Sequence, residues 1–209
     1  MRRLVVIVVV LGALGVGADV GAKQWAEGQI ESRARAEVPA DVSVAAQIHA
    51  FPFLPALFLN GKVAEAEAHF KNIKAGVLTF SDVVVDLHGI RVNRHELLNN
   101  RRVQVESISE GTVTAEITAA ALTSALRGVP VVIANGEVKV TIAGASVVAR
   151  VAVSGNALQL GVPGVGSIAI PKTRLVPCVA DVTVLAGRIR LSCTIHDVPP
   201  ALLGAANAR

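Results

Sequence analysis

Between Val42 and Ile195 the chain returns again and again to an apolar residue at every second position. Val42, Val44 and Ala46 alternate with Asp41 and Ser43, and Val83, Val85 and Leu87 face away from Asp82, Asp86 and His88. Val113, Ala115 and Ile117 oppose Thr112, Thr114 and Glu116, and Ile189, Leu191 and Cys193 oppose Arg188, Arg190, Ser192 and Thr194. A period of two is the mark of strands with one buried and one wetted face, the arrangement antiparallel sheets provide. With 52% hydrophobic and 17% charged residues, disorder is excluded and a sizeable core is possible. Aromatics are only 3% and tyrosine is absent, so valine, alanine, leucine and isoleucine must fill that core.

Around these strands the punctuation is clear. Asp19 to Val38 has helical spacing, with Val20, Trp25 and Ile30 among charged residues; Gly21 and Gly28 weaken it and Pro39 ends it. Lys62–Ile73 reads as a strand, although Ala64 to Ala68 would also suit a helix. Val77–Val92 is a further strand, and Val103–Ile117 reads as a hairpin turned at Glu110-Gly111. Thr118–Leu126 is a short helix stopped by Gly128 and Pro130. Asn135-Gly136 joins Val131–Ile133 to Val138–Ile142 in a hairpin, followed by strands at Val147–Val153 and Leu158–Leu160. Pro199-Pro200 introduces a C-terminal helix over Ala201–Ala206. With no repeat and no linker-like break, residues 19–209 form a single α+β domain dominated by antiparallel strands, with one long N-terminal helix.

Residues 1–18 are set apart. Arg2 and Arg3 precede an apolar run from Leu4 to Ala18, about 22 Å long as a helix at roughly 1.5 Å per residue. That falls short of the ~20 residues that span a bilayer comfortably. Val16-Gly17-Ala18 offers small residues for a signal peptidase, and Asp19 ends the run. The segment is therefore a cleaved signal peptide or an uncleaved membrane anchor, and either one places residues 19–209 outside the cytoplasmic membrane. The nearest cysteine is far along the chain, which excludes a lipid-modified N-terminus.

Export agrees with the two cysteines. Asp181 to Ile195 reads as a hairpin; with Val182 across from Ile189, Cys178 falls opposite Cys193, at a spacing a disulfide bridges. Closing that loop would stabilise the fold by about 3 kcal/mol in the chain-entropy model. The turn at Ala186-Gly187 also permits a register shifted by two, and two buried thiols are the other reading.

Most catalytic chemistry has no foothold. The histidines at 49, 69, 88, 95 and 196 show no metal-ligand spacing, and no G-x-S-x-G elbow occurs; Gly144-Ala145-Ser146, the nearest approach, lies inside a strand pattern. Gly161 to Gly166 is glycine-rich but leads into Ile168-Ala169-Ile170, not a helix, so a phosphate cradle fails. The acids are dispersed. Twenty basic against 16 acidic side chains leave a net charge of +4, half of it from Arg2 and Arg3, which does not describe a nucleic-acid binder. No metal or cofactor is expected, and an envelope hydrolase would need His88 or His95 brought against a serine and an acid.

Two segments carry information. Phe51-Pro52-Phe53-Leu54-Pro55-Ala56-Leu57-Phe58-Leu59-Asn60-Gly61 holds three of the five phenylalanines within eight residues. It either plugs one end of the core or forms an apolar lip for an acyl chain or a bilayer surface, with Phe51, Phe53, Leu54, Leu57 and Phe58 as the contact residues. Arg91 to Arg102 is the densest basic stretch of the body. It is a solvated loop, or Arg91, Arg94, Arg101 and Arg102 receive a lipid phosphate through their guanidinium forks.

The ordered set Val42-x-Val44, Phe51-Pro52-Phe53-Leu54, Gly61-Lys62, Ile73-Lys74-Ala75-Gly76 and Asp82-Val83-x-Val85-Asp86-Leu87-His88-Gly89-Ile90 resembles the actinobacterial LmeA-like phospholipid-binding proteins of the cell envelope. The likeness runs from about Asp19 to Leu203 and includes Cys178, Cys193 and Val198-Pro199-Pro200-Ala201-Leu202. It implies a tubular lipid-binding type of fold, a strongly curved antiparallel sheet wrapped against the long helix with an apolar groove. It also implies a non-enzymatic protein that binds phospholipids, phosphoinositides among them, at the membrane surface and serves envelope glycolipid or lipomannan maintenance. The alternative is a structural or protein-interaction module of the envelope with a filled core and no lipid.

Overall fold

The period-two pattern is realised as strands, and the helical spacing as one helix. The computed structural model describes residues 2–100, 102–154, 157–162, 166–170 and 181–196. Helix α1 (Arg2–Glu37) is continuous through Ala18 and Asp19, because no helix breaker stands at that junction. It is followed by β1 (Ser43–Ile48), α2 (Phe53–Asn60), β2 (Lys62–Ala75), β3 (Leu78–Val92), α3 (Arg94–Asn100), β4 (Val105–Thr118) and α4 (Ala119–Ala125). Then come β5 (Val131–Ala134), β6 (Glu137–Ile142), β7 (Ala145–Ser154), β8 (Ala157–Val162), β9 (Gly166–Ile170), β10 (Asp181–Leu185) and β11 (Arg188–His196). Among the described residues no helix is long and apolar enough to cross a membrane. The expected C-terminal helix over Ala201–Ala206 lies outside the described residues.

The strands divide into two antiparallel sheets rather than one. The first is open, in the order β1-β2-β3-β4-β11-β10; the second is a meander from β5 to β9. Helix α4 separates them in the chain, begun by Thr118, whose hydroxyl accepts the Ala121 N–H at 3.2 Å. Both sheets bury their apolar faces in one core, where Phe80, Ile117 and Ile189 of the first meet Val138, Val140 and Leu160 of the second.

Three expectations are corrected by the pairing. Val103–Ile117 is not a hairpin: Glu110 and Gly111 continue as strand, paired with His88 and Leu87 on one side and His196 and Ile195 on the other. The long neighbours β3 and β11 offer an unbroken ladder through Gly111, and two flanking ladders outweigh the turn preference of Glu-Gly. In the last hairpin Leu185 faces Arg188, so Val182 opposes Leu191, not Ile189. The two-residue turn Ala186-Gly187, with Gly187 at φ 77°, sets that register, and the cross-strand argument for Cys178 opposite Cys193 fails in it. Cys178 lies outside the described residues, and Cys193 is buried on β11. Gly144 ends the strand pattern: with Ala143 it forms a two-residue turn between β6 and β7, like the expected Asn135-Gly136 turn before it. Ala66 to Ala68 lie in β2 because β1 and β3 pair with them from both sides, and Ala64-Glu65 continue that strand beside β3, a tertiary override of helix propensity.

Strict alternation breaks at two points. In β3 the buried positions run Leu78, Phe80, then Val83, then Ile90, Val92, and the partner β2 changes parity opposite each switch. Asn72 and Gly89 each take φ of 63° at the switches, and a left-handed residue inside a strand interrupts the two-residue repeat. At Gly89 the requirement is steric too, since a Cβ there would lie 2.6 Å from the Ser109 hydroxyl oxygen.

Helix α1 covers the free edge of β1. Glu27 Oε1 accepts the Ile48 N–H at 2.7 Å, Glu31 Oε1 accepts the Ala46 N–H at 3.0 Å, and Arg35 donates to the Val44 carbonyl at 3.4 Å. Four helical residues advance about 6.0 Å and two strand residues about 6.6 Å, so carboxylates spaced by four match strand N–H groups spaced by two. Lys23–Glu27 and Glu31–Arg35 ion pairs hold the stripe together. The edge is thereby blunted against pairing with another chain.

Candidate functional site

The same stripe, one turn-pair earlier, anchors α2. Pro52 precedes its first turn and supplies no side-chain cap. Asp19 does so from α1: its Oδ2 accepts the Phe53 N–H at 2.9 Å and its Oδ1 the Leu54 N–H at 2.6 Å. A carboxylate on the exposed N–H groups of a helix start is favourable both as a cap and against the helix dipole. Asp19 is itself buried, at 5% exposure. At the far end Gly61 takes φ 62° and donates to the Leu57 carbonyl at 2.9 Å, while its own carbonyl accepts the Val92 N–H at 2.8 Å. A Cβ on Gly61 would lie 2.7 Å from the Val92 oxygen, so the helix is welded to the sheet by a position only glycine fills.

This geometry splits the apolar segment between two roles. Phe53, 4% exposed, packs into a satellite core with Ile48, Val63, Ile90, Val92 and Ile108, and Leu54 and Leu57 are half-buried against it. Phe51 is 76% exposed and Leu59 67%, and Phe58 is exposed beside them. The segment is therefore a plug on its inner face and an apolar surface on its outer face. Leu59 was not among the residues expected from the sequence; the signal was its position one residue after Phe58, outside the i, i+3, i+4 set of the plug.

The basic stretch arrives at the same end. Arg91 pairs in register with Lys62 at the start of β2, on the face opposite buried Val63 and Ile90. Arg94 opens α3 and lies over Gly61, next to the C-terminus of α2. Asn93 caps α3 by accepting the Glu96 N–H at 3.0 Å, and Arg102, exposed, returns its backbone N–H to the Glu96 carbonyl at 3.1 Å. Arg101 lies outside the described residues. Helix α3 touches α2 and adds exposed Leu98, with exposed Val103 following. Thus Arg94 stands at the C-terminal end of α2 and exposed Arg102 is tied to α3, whereas Arg91 lies on the opposite face of the sheet. None of Lys62, Arg91, Arg94 and Arg102 forms an ion pair with a described residue, in contrast to Arg188 and Arg190, both held by Glu116 at 2.9 to 3.0 Å.

A second charged region crosses the outer face of the first sheet. Glu65, His88, Glu110 and His196 stand in one row over β2, β3, β4 and β11, with His49 Nδ1 3.7 Å from Glu65 and His196 Nδ1 3.2 Å from Glu110. His69 Nε2 lies 2.6 Å from Glu67. Among the described residues no group of three or more His, Cys, Asp or Glu could hold a metal ion, and no serine side chain hydrogen-bonds His88 or His95. Asp86 sits in this region with its carboxyl raised above 3.8, first by burial and then by Glu67 and Glu65. A folded-state value raised in this way means stability is lost as pH climbs from 3.8 through the raised value. Asp86→Asn is therefore expected to melt higher than the parent at neutral pH, with the gain vanishing below about pH 4. Thermal unfolding across that range checks it, and an Asp86→Asn chain that melts lower at neutral pH contradicts the assignment.

An α+β body whose one end joins an exposed apolar helix face to unpaired cations is of the class suited to amphiphilic ligands with anionic heads. The chain belongs to the LmeA-like phospholipid-binding family, whose pattern it matches over residues 17–207. That family is one of lipid binders and not of enzymes. Comparison with curated proteins and with solved structures gave no match.

Proposed function

We propose that this chain is an exported phospholipid-binding protein of the cell envelope that holds its ligand without transforming it. Membership of the LmeA-like family carries the reading. Acyl chains enter an apolar groove whose lip is formed by Phe51 and Phe58, with Leu54 and Leu57 beneath it. The phosphate is received by guanidinium forks of the basic stretch, Arg94, Arg101 and Arg102, and phosphoinositides are among the heads such forks suit. Each buried CH₂ adds about 0.8 kcal/mol, so two chains suffice for tight binding with little demand on the head. Residues 1–18 direct export as signal or anchor, and a Cys178–Cys193 disulfide closes the body outside the cytoplasm. That pairing is supported by the absence of a free cysteine among the described residues. The role served is upkeep of envelope glycolipids such as lipomannan.

Native mass spectrometry of the protein purified from an actinobacterial host, followed by solvent extraction, tests the reading. One bound lipid with one or two acyl chains, near stoichiometric, is the expected result. A clean unliganded mass, unchanged after incubation with host lipids, overturns it in favour of a structural or interaction module.

A further inference from the structure

Three observations meet at the end of the molecule formed by α2 and α3. Phe58, Leu59 and Leu98 are exposed large apolar side chains on two touching helices, and exposed Phe51 stands just before α2, more than a scattered single residue explains. Arg94 stands at the C-terminus of α2 and exposed Arg102 is bonded through its backbone to Glu96 of α3, neither with an ion pair among the described residues; the Glu96 carboxylate is engaged by the Asn100 amide at 2.9 Å, and Glu106 is exposed on β4. Asp19, which follows the apolar run Leu4–Ala18 directly, is hydrogen-bonded to the N-terminus of α2. The apolar run is thus followed, within the same helix, by a residue bound to the start of α2.

We infer that this end is a docking face for an anionic phospholipid bilayer, with the outer faces of α2 and α3 seated among the headgroups. The inference goes beyond the function proposed above, because a protein can hold a lipid molecule and still meet a bilayer with any of its faces. The occupant follows from the chemistry. Apolar side chains flanked by long cationic ones suit an interface in which acyl chains lie under phosphates, where arginine keeps its head in water and its stem on apolar surface. Anionic lipids attract each such cation within a Debye length, so docking weakens with salt. A protein partner would instead bring acids for Arg94 and Arg102 and would leave both indoles solvent-like in vesicles.

The test uses the full chain carrying Trp25→Phe, a change at an exposed position on α1, so that one introduced indole reports. Leu59→Trp and Leu98→Trp are made separately, both at exposed sites, and far-ultraviolet circular dichroism matched to the parent verifies each fold. Vesicles of phosphatidylcholine with phosphatidylglycerol carry bromines on the acyl chains as quencher. Both indoles should shift to shorter wavelength and lose about half their emission or more. The loss should shrink in phosphatidylcholine alone, in high salt, and with Arg94→Glu and Arg102→Glu together. Solvent-like emission from both indoles in the anionic vesicles overturns the docking face. Equal quenching in neutral vesicles overturns its anionic selectivity. Lipid extracted from the same preparations reports the binding function separately: lipid present with unquenched indoles defeats the docking face alone, and quenched indoles with no extracted lipid defeat the binding function alone.

Discussion

Phe53→Ala is expected to cost about 3–5 kcal/mol of stability, while Phe51→Ala, two residues earlier, costs less than about 0.5 kcal/mol. The difference follows from burial. Phe53 is 4% exposed within a small cluster roofed by Leu54 and Leu57, and truncation leaves a cavity that Ile48, Val63 and Ile90 on paired strands cannot collapse to fill. Phe51 is 76% exposed and loses little on truncation. For a domain of this size the first variant should melt about 10 °C below the parent. Thermal and urea unfolding of the pair measure it, and coincident midpoints would remove the plug role of Phe53.

Asp19→Ala is expected to cost about 2–4 kcal/mol, a large effect for a residue on a surface helix. Its carboxylate is the cap of a helix that has none of its own, and its loss leaves the Phe53 and Leu54 N–H groups without a partner in a buried setting. The damage should be local before it is global: amide exchange at Phe53 and Leu54 should quicken by about tenfold or more while β4 and β11 stay protected. Asp19→Asn, which keeps one acceptor oxygen, should fall between parent and alanine. Unchanged exchange at the two amides in Asp19→Ala would show that the cap is not what holds α2.

Much of the sheet was legible because period and punctuation are local. Val113, Ala115 and Ile117 bury together on β4, Thr118 starts α4, and Asn135-Gly136 turns β5 into β6, as their spacing and turn chemistry require. The apolar and basic segments were legible as unusual stretches, but their meeting was not. Residues from Phe51 to Gly61 and from Arg91 to Arg102 are joined by a glycine contact and a helix contact that no periodicity encodes. The acids read as dispersed, yet Asp19, Glu27 and Glu31 share one helix face at multiples of four and act on backbone N–H groups of other elements. Their spacing was visible; their partners were not.

By itself the sequence determined which residues alternate, where helices start and stop, which two-residue turns close, and which family the ordered motifs resemble. Those properties depend on neighbours within a few positions, where sterics and hydrogen bonding act directly. Only the tertiary structure decided that β4 runs straight through Gly111 between β3 and β11, and that the strands divide into two sheets over one core. It alone made Phe53 a plug and Leu59 a surface residue. These outcomes rest on pairings between residues as distant as Glu116 and Arg190, where the choice is made by burying apolar faces together and by satisfying every strand edge at once.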